Sequence, residues 1–224
     1  MSRRDNGHIR CGRCAMLQSL CICTEIPDIH CASRLCLVLH RDEERKPTNT
    51  GRLAALSLAG SEVLVHGREG ERVACPWLDK PDEFTNLLLY PCEEAVPLSK
   101  EHLASGPVRL VVPDSTWRQA SKMARRIPWM TNLPRVGLPS GGAETMYRLR
   151  SEPKEGGLAT MEAIARAFGV LEGEKVQVQL EEVFRKMSDR TLFSRGQLPR
   201  DKVFGGLDDS VLQHKPGCGS KSNP

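Results

Sequence analysis

The stretch that decides the fold is VRLVVPDSTWRQ, Val108–Gln119. Its first part, VRLVV, has strong strand character, and a proline and an aspartate follow. Helical spacing then sets in without an intervening loop. From Thr116 to Ile127, the residues Trp117, Ala120, Ala124 and Ile127 fall on one face, and Arg118, Lys122, Arg125 and Arg126 fall largely on the other. Thr116 and Gln119 have the spacing of a capping box, and Pro128 stops the helix. Trp117 reads as a packing anchor at the first apolar position of that helix.

Outward from this stretch the same alternation repeats. Arg34–His40, Glu62–Gly67 and Asn86–Pro91 are short apolar runs bounded by turn residues, and Leu133–Pro139 is a shorter run between prolines. Helical patterns lie between or after them: RLAALSLA, with Asn49 or Thr50 as cap and Gly60 just past its end, then LATMEAIARAFGVL, then VQVQLEEVFRKMSDRTLF. Gly169 is placed to interrupt or end the second of these. HRDEERKPTNTG reads as a loop. Strands alternating with helices predict an α/β domain over residues 34–204, a mostly parallel sheet with helices on both faces. The stretch 205–224, rich in Gly, Lys, Ser and Pro, is expected to be a disordered tail.

The chain has 224 residues, 39% hydrophobic and 27% charged, with a net charge of +4. No apolar run approaches the roughly 20 residues that span a bilayer, and the basic N-terminal residues have no apolar segment behind them. A cytoplasmic protein without a membrane role is expected. Nine cysteines are an odd number for a disulfide framework. Cys11, Cys14, Cys21 and Cys23 form the pattern C-x2-C-x6-C-x-C, whose first half is a common zinc-knuckle spacing. Residues 1–33 therefore read as a cysteine-rich module holding structural zinc, with Cys31, Cys36, His8 and His30 as possible substitute ligands. Ordinary free thiols are the alternative.

Asp114 lies at the carboxyl end of the strongest strand, where ligands of open α/β sheets gather. Asp114, Ser115 or Thr116 could each cap the following helix, and caps outnumber active sites, so from the residues alone Asp114 is a candidate catalytic carboxylate beside a plain capping role. In T-x-E-A, Thr160–Ala163, Thr160 fits an N-cap and Glu162 a first-turn acid. His40 and His66 read as strand-end residues without a catalytic role.

The D-S-T-W of Asp114–Trp117 resembles the D-x-T-W signature of the DTW-domain family of tRNA-uridine aminocarboxypropyltransferases. The early cysteines, KPTNTGRL at Lys46–Leu53, LLYP at Leu88–Pro91, LPRVGLP, YRLR at Tyr147–Arg150 and T-x-E-A agree with that family in order and spacing. The family's usual spelling of the last motif opens with Ser, where this chain has Ala159.

The resemblance implies a fold similar to the SPOUT methyltransferases, with a C-terminal trefoil knot. It implies transfer of the aminocarboxypropyl arm of S-adenosylmethionine to N3 of a tRNA uridine, in the variable loop, with release of methylthioadenosine. On that reading Asp114 accepts the N3 proton or, alternatively, holds the donor's ammonium group. The donor is expected among the loops at Leu89–Pro91, Val112–Asp114 and Leu138–Ala143, with Leu89, Pro91, Leu138, Thr116 and Glu162 as contacts. Thr116 is expected to act first as the helix cap, and Glu162 could reach the donor's amino group. Arg118, Lys122, Arg125 and Arg126 supply a basic face for tRNA, to which Lys46 and Arg52 add. No obligate protein partner is expected. Two other readings stay open: an RNA methyltransferase with the same donor, and a non-catalytic zinc-containing protein that binds RNA or ribosomes.

Overall fold

The computed structural model describes residues 10–75, 77, 83–139, 141, 145 and 157–207. Six strands form one sheet: β1 Arg34–His40, β2 Glu62–His66, β3 Thr85–Leu89, β4 Val96–Pro97, β5 Val108–Asp114 and β6 Arg135–Gly137. They lie in the order β2-β1-β5-β3-β6-β4, and every pair is parallel. The helices are α1 Arg41–Glu44, α2 Gly51–Ser57, α3 Trp117–Arg126, α4 Pro128–Thr131, α5 Thr160–Glu172 and α6 Glu174–Ser194.

Side chains alternate across the central strands, and each face of the sheet collects its own helices. Leu35 and Leu37 of β1 and Leu110 and Val112 of β5 pack with α2, α5 and α6. Cys36 and Val38 of β1 and Val111 of β5 pack with Met123, Ala124, Trp129 and Met130 of α3 and α4. The expected α/β sheet with helices on both faces is the observed one. All seven residues of β5 are buried, as a central strand covered on both sides requires.

Several local expectations need correction. β5 runs two residues beyond the expected end at Val112 and includes Pro113. Strand β3 pairs with β5 only as far as Val111, so one side of β5 has lost its partner where the proline stands. The HRDEERK loop contains the short helix α1, whose first turn is held by the Asp42 N–H donating to His40 Nδ1 at 3.2 Å. Strand β4, two residues long, carries no readable period. Gly169 neither interrupts nor ends α5, which continues to Glu172 and stops at Gly173 with φ 101°. Gly169 is instead a contact point: a Cβ there would drive into Gln177 of α6.

The described part of the cysteine-rich segment packs on the main core. Met16, Leu20, Ile22 and Ile29 share a cluster with α5 and α6. Arg190 of α6, almost fully buried, donates to the Cys21 carbonyl at 2.8 Å and to Glu25 Oε1 at 2.5 Å. The structure does not describe the knot implied by the resemblance, because most of the segment between β6 and α5 lies outside the described residues. Tyr147–Arg150 and the tail beyond residue 207 also lie outside them.

Candidate active site

β5 delivers Asp114 to the carboxyl-terminal edge of the sheet as its last residue, in register with Leu39 of β1. The residue is 4% exposed. Asn49 Nδ2 donates to Asp114 Oδ2 at 2.6 Å, and Thr160 Oγ1 donates to Asp114 Oδ1 at 2.6 Å. Three segments far apart in sequence thus meet at one carboxylate. Asn49 Oδ1 also accepts the Arg52 N–H at 3.0 Å, which caps the first turn of α2 and leaves the amide nitrogen facing Asp114.

Gly51, the first residue of α2, lies so close to Asp114 that a Cβ there would collide with the carboxylate. Thr50 Oγ1 accepts the Met161 N–H at 3.3 Å, tying the start of α2 to the start of α5. The Lys46–Leu53 segment is therefore fitted around the aspartate.

A cleft of about 470 Å³ opens beside this group. Leu89, Tyr90, Pro91 and Cys92 line it at and after the end of β3, Gly137 and Leu138 at the end of β6, and Val112, Pro113 and Ser115 at the end of β5. Trp117 and Ala120 of α3 and Thr160 and Ala163 of α5 complete much of the wall. The size, and a lining that mixes apolar side chains with nearly as much polar surface, suit a small-molecule site. Thr160 connects the two parts of the site, because it lines the cleft and donates to the buried Asp114.

The structure gathers Leu89, Pro91 and Leu138 on the cleft wall. Thr116 and Glu162 act at helix starts. Thr116 is the N-cap of α3, its Oγ1 accepting the Gln119 N–H at 3.4 Å while Gln119 Oε1 accepts the Thr116 N–H at 3.2 Å. Glu162 is buried and accepts from the Ala159 N–H at 2.9 Å and from Thr145 Oγ1 at 2.7 Å.

Two expectations are overturned. Thr160 is not the N-cap, which is Ala159; it is the first helical residue, and its hydroxyl turns to Asp114. Trp117 is not a packing anchor: it is 46% exposed and stands on the cleft wall, while Ala120, Met123 and Ala124 form the buried face of α3, continued by its C-cap Ile127. Asn49 was legible only as a cap, and its second bond to Asp114 has no local sequence signal.

Arg118, Lys122, Arg125 and Arg126 are all exposed on α3. Lys46 and Arg52 make contacts within the chain: Lys46 Nζ is 2.6 Å from Glu43 Oε1, and Arg52 donates to the Glu44 carbonyl at 2.9 Å. His40 and His66 end neighbouring strands with ring centroids 6.1 Å apart. Burial, and then the neighbouring His40, lower the pKa of His66. Cys92, on the cleft wall, has its thiol pKa raised, first by burial and then by its bond to Glu94.

Away from the cleft, the sulfurs of Cys11, Cys14, Cys21 and Cys23 all lie within 4.8 Å of one another. Cys11 and Cys23 are 3.5 Å apart, and Cys14 and Cys21 are 3.7 Å apart. A tetrahedral ion with metal–sulfur bonds of about 2.3 Å needs sulfur–sulfur distances of about 3.8 Å, so this donor set could hold a metal ion. The Cys14 backbone N–H leads the effects that bring the Cys11 thiol down to about 6. Ala15, with φ 59°, makes the tight turn of the first pair, and its N–H donates to the Cys11 carbonyl at 2.9 Å. Among the described residues no helix is long and apolar enough to cross a membrane.

The chain is 30% identical over 177 residues to tRNA-uridine aminocarboxypropyltransferase 2 of Drosophila melanogaster, covering 75% of this chain and 68% of the relative. It is 27% identical to the protein of the same name from Mus musculus, covering 72% of this chain and 56% of the relative. With tRNA-uridine aminocarboxypropyltransferase A of Arabidopsis thaliana it shares 27% identity over 90% of this chain and 89% of the relative. No solved structure matches the chain significantly. The DTW domain profile matches residues 8–192, from before the cysteine cluster to near the end of α6. A match that takes in the four cysteines, the segment fitted around Asp114, the cleft and both closing helices shows that the chain belongs to the DTW domain family.

Proposed function

We propose that this chain is a tRNA-uridine aminocarboxypropyltransferase, moving the aminocarboxypropyl arm of S-adenosylmethionine to N3 of a tRNA uridine. The observation that carries the reading is the D-S-T-W aspartate, buried at the edge of the sheet and joined through Thr160 to the wall of the cleft. The names of the relatives support the same reaction.

The donor lies in the cleft, its adenosine against Leu89, Pro91 and Leu138 and the backbone around them. Its positive sulfur already activates the adjacent carbon. The protein has two tasks: to select which of the sulfonium carbons is attacked, by placement, and to remove the N3 proton. Thr160 Oγ1 receives that proton while passing its own to Asp114 Oδ1. N3 then forms the new bond to carbon, the carbon–sulfur bond breaks with its electron pair left on sulfur, and methylthioadenosine departs neutral. Asn49, holding the other carboxylate oxygen, fixes the direction in which Asp114 accepts.

Arg118, Lys122, Arg125 and Arg126 contact tRNA phosphates beside the cleft, and Lys46 and Arg52 order the adjoining segment. The target is a variable-loop uridine, and the protein works in the cytoplasm. Zinc is the ion that suits four thiolates; such a closed set leaves no open position, so its role is structural. Incubating tRNA with donor labelled in the arm or in the methyl group tests the reading. Arm label in the RNA supports it. Methyl label alone makes the chain a methyltransferase, and no label with retained tRNA binding makes it a non-catalytic RNA-binding protein.

A further inference from the structure

The exposure of Trp117 runs against the pattern of its own helix. Its spacing places it with Ala120, Ala124 and Ile127, all buried, yet it is 46% exposed. The reason lies in its position. Trp117 is the first residue of α3, just past the end of β5, and helical side chains lean toward the helix N-terminus. Its indole therefore projects past the sheet edge, onto the wall of the cleft. The chain buries its other indoles: Trp77 and Trp129 are 8% and 7% exposed and meet edge to face, with ring centroids 5.6 Å apart. Trp117 belongs to neither buried core cluster.

Its surroundings suit a flat, unpaired ring. Ser115, Ala120 and Thr160, all small, line the same cleft. The exposed Arg118 follows directly, and Lys122 and Arg125 continue along α3. Aromatic rings beside a track of positive charge are how proteins hold single-stranded RNA, the charges taking phosphates and the rings taking bases. A uridine whose N3 is to be alkylated cannot keep that atom in a base pair, so it needs a new stacking partner in place of its neighbours.

We propose that Trp117 is the stacking surface for the target nucleobase, holding an unpaired pyrimidine at the cleft mouth with its N3 edge toward Thr160. This rests on the proposed function and names the residue that selects and orients the acceptor. The part of the wall at Tyr90, Pro91, Gly137 and Leu138 is left for the donor.

The test uses the full chain with Trp117→Phe, which keeps a ring, and Trp117→Leu, which keeps only apolar bulk. Stacking predicts that the Leu variant loses roughly tenfold to a hundredfold in kcat/KM for tRNA, while donor affinity stays unchanged and the Phe variant stays within a few-fold. It also predicts that tRNA quenches tryptophan emission in the wild type and that the Phe variant loses this quenching, because Trp77 and Trp129 are buried. Four results overturn the proposal: an unimpaired Leu variant, Phe and Leu variants equally impaired, unchanged quenching in the Phe variant, or a loss confined to donor affinity, which would make Trp117 a donor contact. Failure of the reaction itself looks different. If the wild type transfers no arm but the Leu variant still loses tRNA affinity and the Phe variant still loses quenching, the stacking role stands and the assigned reaction falls.

Discussion

Thr160 Oγ1 lies 2.6 Å from Asp114 Oδ1, a bond between residues 46 positions apart. It joins the end of β5 to the start of α5 and places a hydroxyl between a buried carboxylate and the cleft. Removing the hydroxyl while keeping the shape separates chemistry from packing. Thr160→Val is expected to lower the single-turnover transfer rate by about a hundredfold to ten-thousandfold, the usual range for a lost acid–base group. It also takes one donor away from a buried carboxylate, a stability loss of about 1–3 kcal/mol. Thr160→Ser keeps the hydroxyl and should stay within about tenfold of the wild-type rate. Equal rates for the Val and Ser variants, measured by quenched-flow assay, would remove Thr160 from the proton path.

Gly51 offers a test of the fit around Asp114. Alanine is the better helix former by about 1 kcal/mol, so Gly51→Ala in an unconstrained helix would stabilise. Here the new methyl meets the Asp114 carboxylate. The expected outcome is a lower midpoint in urea unfolding and a transfer rate reduced at least tenfold, roughly what a small misplacement of a reacting group costs. A stabilised, fully active variant would show that the carboxylate has room to move and that its tight seat is unimportant.

The basic face of α3 has its own signature. Neutralising Lys122, Arg125 or Arg126 singly to Gln should weaken tRNA binding uniformly across tRNA species, and each should reduce the slope of log affinity against log salt by about 1. Because the side chains are exposed, unfolding midpoints should stay within about 0.5 kcal/mol of the wild type. Unchanged salt slopes would make this a solvated helix face and move the RNA path elsewhere.

Metal removal should be felt beyond the cysteines. Met16, Leu20 and Ile22 lie in the same core as α5 and α6, and Arg190 bonds the Cys21 carbonyl. Elemental analysis should find one zinc per chain, and Cys21→Ser should abolish it. Chelation should lower Tm, by about 2–4 °C for each kcal/mol lost in a chain of this size. It should also speed amide exchange in the part of α6 around Arg190. Exchange confined to residues 10–30 would show that the cysteine segment opens by itself.

The longer strands and helices were legible because their signals are local, whereas α1, α4 and β4 are too short to carry a period. β1 was bounded without error, and α3 announced its cap, its apolar stripe and its stop within a dozen residues. The errors came where tertiary position overrode a local pattern. Trp117 shares the phase of Ala120 and Ala124, and only its place beyond the sheet edge exposes it. Thr160 has the chemistry of an N-cap, but the cap falls on Ala159, so Thr160 stands inside the helix and its hydroxyl donates to Asp114. Glu162 nevertheless caps α5 from within, accepting the Ala159 N–H. Asp114 could be chosen from its strand-end position and its motif, whereas Asn49, which completes its seat, makes a contact over 65 positions that no window of sequence contains.

The most direct test of the proposed reaction is the identity and stoichiometry of the nucleoside by-product when purified protein, S-adenosylmethionine and unmodified tRNA react to completion. Arm transfer predicts one methylthioadenosine released per uridine modified, with no S-adenosylhomocysteine and no methylthioadenosine above background when Asp114→Asn replaces the wild type. S-adenosylhomocysteine as the by-product, with a methylated nucleoside in the tRNA, would contradict it.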